Sequence, residues 1–274
     1  MRTTAIFNLK GGVAKTVTTA AMADILAIDH KKRVLVIDGD PQGNLSQYFG
    51  VEAQEGTSTL DLLQGTHEAV YSDWVSPARP EECIDIIPAD MRLIAADVDA
   101  LQYGRCDLGA MEELRRAIQE DADSGDPESV AASYDYLLID CPPSFSATST
   151  AALTAADDVV IPLRLDSFST RGMAELAAQV DNMRRINPRL QVAGVLVTQY
   201  QRTDEEKAAL RFLREQPVLP VFRSTIRQSG RVSASTYASV PLVKFSPWCG
   251  ATRDYRAFVQ EYITQRGGAD HGEA

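Results

Sequence analysis

Residues 8–19, Asn-Leu-Lys-Gly-Gly-Val-Ala-Lys-Thr-Val-Thr-Thr, restrict the folding of this chain more than any other stretch. A short apolar, β-prone segment at 3–7 leads into them. A helical pattern at 16–29 leads out, with Ala20, Ala21, Ile25, Leu26 and Ile28 supplying an apolar face. Strand, glycine-containing loop and helix, in that order, place backbone N–H groups at a helix N-terminus. There the unsatisfied donors and the positive dipole end attract phosphate. Lys15 adds a mobile ammonium, and Thr16 a hydroxyl able to ligate Mg²⁺. Taken alone, seven residues could equally be a Gly-Gly turn with two solvated lysines, so the rest of the chain has to decide.

Two further stretches bear on the question. Arg33-Val-Leu-Val-Ile-Asp38-Gly-Asp40-Pro-Gln-Gly-Asn44 reads as a strand ending in two acids and a turn, and Tyr134-Asp-Tyr-Leu-Leu-Ile-Asp140-Cys-Pro-Pro-Ser144 as a strand ending in one acid. Continuous Val, Leu and Ile runs suit parallel strands covered on both faces, and strands alternating with helices imply a doubly wound, mostly parallel α/β sheet flanked by helices. Such sheets bind ligands beyond the carboxyl ends of their strands, so Asp38, Asp40 and Asp140 should emerge on the edge that carries the glycine loop. A carboxylate at position 38 or 40 could orient or deprotonate a water attacking a γ-phosphate, or hold a hydrated metal; Asp140 suits a metal held through water. An Asp-Gly-Pro turn without chemistry is the alternative for 38–44.

The usual P-loop pattern places glycine six residues before its lysine and immediately before it; here those positions are Leu9 and Ala14. What stands instead, Lys10-Gly-Gly-Val-Ala-Lys15-Thr16, resembles the deviant Walker A motif of the ParA/MinD ATPases, members of the P-loop NTPase fold. Asp38-Gly-Asp40-Pro-Gln-Gly-Asn44, Asp140-Cys-Pro-Pro143, the Ala152-to-Asp157 run and Val221-Phe through Ile226 to Pro241-Leu extend the likeness over most of the chain outside 51–133. The resemblance implies an ATP hydrolase using ATP and Mg²⁺, weakly active without a partner. It implies nucleotide contacts from Lys10, Gly11, Gly12, Val13, Ala14, Lys15, Thr16 and Val17. Catalytic roles fall to Lys10, Lys15 and Asp40, and metal binding to Thr16, Asp38 and Asp140. Lys10 would reach the nucleotide of the partner in an ATP-dependent homodimer. The family also implies non-specific binding of double-stranded DNA, stimulation by a ParB-like centromere-binding protein, a cytoplasmic, nucleoid-associated location and a role in plasmid or chromosome partition. Two positions depart from the family: Ala151 stands where Asn is usual, and Arg227 where Pro is frequent.

Charge is distributed unevenly. The chain of 274 residues has net charge −11, which at first argues against nucleic acid. Yet residues 1–183 hold 13 Lys and Arg against 30 Asp and Glu, whereas residues 184–256 hold 13 against 5. A basic segment in an acidic protein can build a local anion-binding face. Arg202, Arg223, Arg227, Arg231 and Lys244 are its candidate phosphate contacts, and solvated arginines scattered around helices are the alternative.

Other classes fit less well. Cys83, Cys106, Cys141 and Cys249 include no C-x-x-C pair, so neither zinc nor a disulfide framework is suggested, and an iron–sulfur reductase lacks its cluster loop. Cys141 reads as a small buried residue rather than a nucleophile. No apolar run approaches the ~20 residues needed to span a bilayer. The first strand begins at the N-terminus, leaving no room for a signal peptide. A MinD-like membrane-surface ATPase would need a basic amphipathic C-terminal helix, but residues 266–274 are polar and acidic, and the stripe Tyr255, Phe258, Val259, Tyr262, Ile263 suits core packing. An ATP-dependent ligase, or an ATPase that positions a protein cargo on the nucleoid, remains open. One domain over 1–274 is expected, with a flexible tail. Within 45–133 a helix at 59–64, a strand at 84–88 and helices at 91–103 and 108–120 are expected, Leu93, Ile94, Ala96, Val98 and Leu101 forming one core-facing side. No chemistry is assigned there.

Overall fold

The computed structural model describes residues 1–65, 71–102, 104, 106–123, 134–165, 169–215 and 218–267. Most of residues 121–133, residues 166–168 and the tail past 267 lie outside the described residues. Among the described residues, eight strands form one sheet: β1 (Arg2–Ile6), β2 (Val34–Asp38), β3 (Ser76–Arg79), β4 (Ile84–Ile87), β5 (Tyr136–Asp140), β6 (Asp158–Arg164), β7 (Gln191–Tyr200) and β8 (Val221–Arg227). Their order is β3-β4-β2-β5-β1-β6-β7-β8, and every pairing is parallel except β3 with β4. This is the doubly wound, mostly parallel α/β architecture expected from the apolar runs.

The helices are α1 (Lys15–Ile28), α2 (Asn44–Phe49), α3 (Thr59–Gln64), α4 (Ile94–Gln102), α5 (Ala110–Asp123), α6 (Ala147–Ala155), α7 (Ser169–Met183), α8 (Asp204–Glu215), α9 (Gly230–Tyr237), α10 (Leu242–Phe245) and α11 (Gly250–Gly267). One apolar layer joins α1, α2, α10 and α11 to one sheet face; α3 to α8 supply the layer on the other. The aromatic stripe of α11 lies in the core, Tyr255, Phe258, Val259 and Tyr262 being at most 1% exposed. The Tyr262 hydroxyl meets the Thr4 hydroxyl at 2.6 Å and donates to Asp158 Oδ2 at 3.1 Å, while Arg2 and Arg266 both pair with the Asp158 carboxylate. No helix is long and apolar enough to cross a membrane among the described residues.

Register places the chemistry. Asp140 pairs with Ile6 on one side and Asp38 on the other, so β1, β5 and β2 stop at one level with their carboxyl ends side by side. Pro162 sits inside β6, a buried parallel strand, where a missing N–H would normally break the ladder. It is tolerated because β1 pairs with β6 only through Val160. Beyond that point the Asn8 side-chain amide donates to the Pro162 carbonyl at 2.7 Å, in place of the vanished strand.

Two sequence expectations differ from the structure. The edge strand β3 was not anticipated, because Ser-Pro-Ala-Arg lacks apolar alternation and its proline is compatible only with an edge or a bulge; its pairing with β4 does shift register there. The expected core face of 91–103 also divides. Leu93 and Ala96 are buried, but Ile94, Val98 and Leu101 are 47%, 43% and 88% exposed, with Met91 at 55%. A 3-10 turn over Met91–Leu93 precedes α4, which resets the phase of the apolar pattern and turns 94, 98 and 101 outward. Leu93→Ala should therefore lower the unfolding free energy by about 2–5 kcal/mol in a urea titration, whereas Leu101→Ala should change it by less than about 0.5 kcal/mol.

Candidate active site

The first helix begins without a side-chain cap. Ala14 occupies the N-cap position in the left-handed region, φ 65° and ψ 37°, and no side chain bonds to the first-turn amides. The N–H groups of Lys15, Thr16 and Val17 thus have no intrahelical acceptor and point to the dipole's positive end, as anion binding requires. Gly12 is left-handed too, φ 71°. A glycine there costs nothing, whereas the Ala14 methyl carries a steric penalty.

The loop is held in place by β7, two strands along the sheet from β1, and by Asn8 just past the end of β1. The Thr198 hydroxyl donates to the Val13 carbonyl at 3.0 Å, and the Gln199 side-chain amide to the Gly12 carbonyl at 2.7 Å. Asn8 Oδ1 accepts from the Lys10 amide at 3.0 Å. Sequence reasoning missed all three braces. Asn8 lies within the motif, but Thr198 and Gln199 stand some 185 residues away with no local signature.

Lys15 is 7% exposed and folds back to donate to the Lys10 carbonyl at 3.1 Å. Burial lowers its pKa, opposed by the nearby negative charge of Asp140 and Asp40. Asp140 is fully buried; Thr19 donates to its Oδ1 at 3.2 Å, and among the described residues no hydrogen-bond donor reaches Oδ2. Burial and the neighbouring Asp38 push its carboxyl up to about 8, partly offset by the Thr16 hydroxyl and Lys15.

Asp38 is placed differently. Its Oδ2 accepts from the Ser46 amide at 2.8 Å and hydroxyl at 2.7 Å, and its Oδ1 from the Asp40 amide at 3.2 Å. Both oxygens are committed to the turn, while burial holds the group up to about 6. Asp40 reaches the cleft wall beside Lys15 and Thr16, its Oδ1 accepting from the Gln42 amide at 3.0 Å. Gly39 makes this geometry possible, since its N–H donates to the Asp140 carbonyl at 2.9 Å and a Cβ there would lie 2.5 Å from that oxygen. Cys141 is buried and its thiol is pushed up by desolvation, which leaves it inert. Ala151 is fully buried in α6.

A cleft of about 490 Å³ runs from this loop along α1 to α9 and α10, lined at one end by Gly11, Lys15, Thr16, Asp40 and Pro143 and at the other by Val232, Ser235, Thr236, Tyr237, Ser239 and Leu242. That volume suits a ligand of nucleotide size. No group of three or more His, Cys, Asp and Glu suited to a metal occurs among the described residues.

The basic candidates divide into two kinds. Arg227 holds Asp254 through two hydrogen bonds, 2.6 and 2.8 Å, and Lys244 pairs with Glu82. Arg202, Arg223 and Arg231 are exposed. Arg202 follows β7 and Arg231 follows β8, adjacent parallel strands, which places both on the sheet edge that carries the cleft.

Comparison with known proteins agrees with this geometry. An AAA domain family matches residues 1–192. The chromosome partitioning protein ParA of Caulobacter vibrioides is 32% identical over 97% of this chain and 95% of its own length. The chromosome-partitioning ATPase Soj of Thermus thermophilus is 31% identical over 97% and 96%. Among solved structures, cobyrinic acid a,c-diamide synthase of Mycobacterium smegmatis with bound ADP and magnesium superposes with TM-score 0.74 at 28% identity, covering 98% of this chain and 96% of that one.

Two substitutions test the local geometry. Ala14→Gly should relieve the left-handed strain and raise stability by about 0.5–1 kcal/mol in thermal unfolding. Gly39→Ala should part the ends of β2 and β5, costing about 1–3 kcal/mol by the same measurement.

Proposed function

Because this chain belongs to the ParA/Soj family of chromosome-partitioning ATPases, we propose that it binds and hydrolyses ATP with Mg²⁺ in the cleft between the 10–16 loop and α9–α10. The observation that carries this reading is the buried Asp140 oxygen without a donor, beside Lys15 and Thr16 at the head of an uncapped helix. A hydrated divalent cation fits there: Mg²⁺ keeps several waters and takes one or two protein oxygens besides the substrate phosphates. Thr16 and Asp140 hold it, and when bound it neutralises charge on the phosphates. Asp38, engaged by Ser46 and Asp40, sets the turn beside the ion.

The protein groups divide the remaining work. Backbone amides of residues 11–17 and the Lys15 ammonium bind phosphate, Lys15 exchanging its present bond to the Lys10 carbonyl for phosphate oxygens. Asp40 orients the attacking water and accepts its proton. Lys10 contributes charge to the nucleotide of a second copy, so that ATP closes a homodimer. Two such subunits present Arg202, Arg223 and Arg231 twice, as contacts to DNA phosphates that carry no base information. Arg227 and Lys244 drop out of this set because Asp254 and Glu82 hold them. Hydrolysis is slow alone and rises with a ParB-like partner on a partition site, as expected when a second protein completes the charge around the transferring phosphoryl group.

The likeness to a diamide synthase that binds ADP and magnesium favours a second reading, an ATP-dependent ligase on the same scaffold. ATP consumption would then rise with a small-molecule substrate and not with DNA or a partner protein.

Lys15→Ala should abolish ATP binding by isothermal calorimetry. Asp40→Ala should keep ATP-dependent dimerisation in sedimentation but lose turnover, and wild-type turnover in that variant removes Asp40 from the mechanism. Lys10→Ala should impair dimerisation more than ATP binding. With about six phosphates neutralised per dimer, the affinity for unrelated duplexes should require ATP and fall with salt at a log–log slope near −5. A flat salt response overturns the DNA assignment.

A further inference from the structure

Behind the base-side half of the cleft lies a buried cation that the reaction itself does not use. Arg79, the last residue of edge strand β3, points its guanidinium inward, its side chain 16% exposed. It meets the Asp24 carboxylate of α1 at 3.4 Å, lies over the Tyr48 and Phe49 rings of α2 at 5.1 and 5.2 Å, and donates through Nη2 to the Ser239 carbonyl at 3.2 Å. Tyr48 in turn donates to Asp24 Oδ2 at 2.5 Å. Tyr48 and Ser239 both line the cleft.

Ser239 is a residue that needs holding. It follows α9 in the left-handed region, φ 53°, which a residue with a Cβ adopts at a cost. Its own amide bonds back to the Thr236 carbonyl at 3.1 Å, and its carbonyl is the one that Arg79 takes. One side chain from the 51–133 segment therefore ties together α1, which starts at the phosphate loop, α2, and the turn that forms the opposite wall.

We propose that Arg79 is a positioning residue of the nucleotide cleft: it sets the base-side wall, Tyr48 and Ser239, at a fixed distance from the phosphate loop, and so governs recognition of the nucleoside half of the ligand. This rests on the nucleotide reading given above. Asp24 supplies the buried counter-charge that makes a cation tolerable there, since a buried ion is stable only when paired. Phosphate recognition stays outside Arg79's reach, because its partners on α1 and α2 lie turns away from residues 11–17. The two halves of the ligand should respond separately.

The test compares ATP with inorganic tripolyphosphate, which shares the phosphates and lacks the nucleoside. Removing Arg79 alone would strand the Asp24 carboxylate and risk the fold. The variants are therefore the double substitution Asp24→Asn with Arg79→Met, which removes both charges, and Arg79→Lys, which keeps the pair with Asp24 but is too short to reach Ser239 as well. Calorimetry of each, with thermal unfolding of the ligand-free protein alongside, should show wild-type tripolyphosphate affinity and ATP affinity about tenfold weaker, the expected loss of one charge-assisted hydrogen bond. Unchanged ATP affinity in a folded variant overturns the proposal, as does equal weakening of both ligands, which marks a merely structural residue. Wild-type protein that binds neither ligand removes the nucleotide reading itself.

Discussion

The hydrogen bond from the Gly39 amide to the Asp140 carbonyl holds the chemistry of this protein together. It continues the β2–β5 ladder one residue past the strand ends, so two chain segments about a hundred residues apart leave the sheet in contact. The Asp38 turn, the outward path of Asp40 and the start of the Pro142-Pro143 segment all issue from that point. The contact needs a residue without a side chain, and a single Cβ would separate the acids that the register brings level. β1 ends beside them, which puts the phosphate loop in the same row.

The region gathered there is costly to fold. Ala14, Gln199, Arg202 and Ser239 all have positive φ without being glycine, and each lies in or near the loops at this edge. Asp38 and Asp140 are buried acids, and Lys15 is a buried base. Strain and desolvation of this kind persist only where the surrounding fold over-determines them. The two apolar layers and the polar clasp around Asp158 supply that constraint from the opposite end of the sheet. A bound anion and cation offset the cost of burying these groups, which couples ligand binding to stability.

Much of this was legible in the sequence, and the reasons are local. Strand, loop and helix around Lys15 follow from consecutive residues, and the acids at 38 and 140 stand at the ends of continuous apolar runs. What stayed hidden depends on distance or phase. Thr198 and Gln199 brace the loop from another strand. The direction of Ile94, Val98 and Leu101 depends on a 3-10 turn that shifts the helical phase. β3 has no periodic pattern to detect, though its last residue reaches the cleft wall. Counting charges locates a basic segment but does not distinguish Arg227 and Lys244, held by acids, from the exposed Arg202, Arg223 and Arg231.

The clasp formed by Thr4, Tyr262 and Asp158 has a kinetic consequence. Its members come from the first strand, β6 and the last described helix, with Thr4 and Tyr262 lying 258 residues apart. β1 also lacks both sheet neighbours until residues beyond 135 and 157 exist. During synthesis the phosphate loop emerges before β5, β6 and β7, and it cannot adopt its final shape until β5 and β6, and then β7, which braces it, have been made. Non-local pairing of this kind slows folding and leaves apolar strands uncovered while it proceeds. A nascent chain of this protein thus carries its most distinctive motif long before it can use it, and competence to bind arrives late, when α11 closes over the first strand.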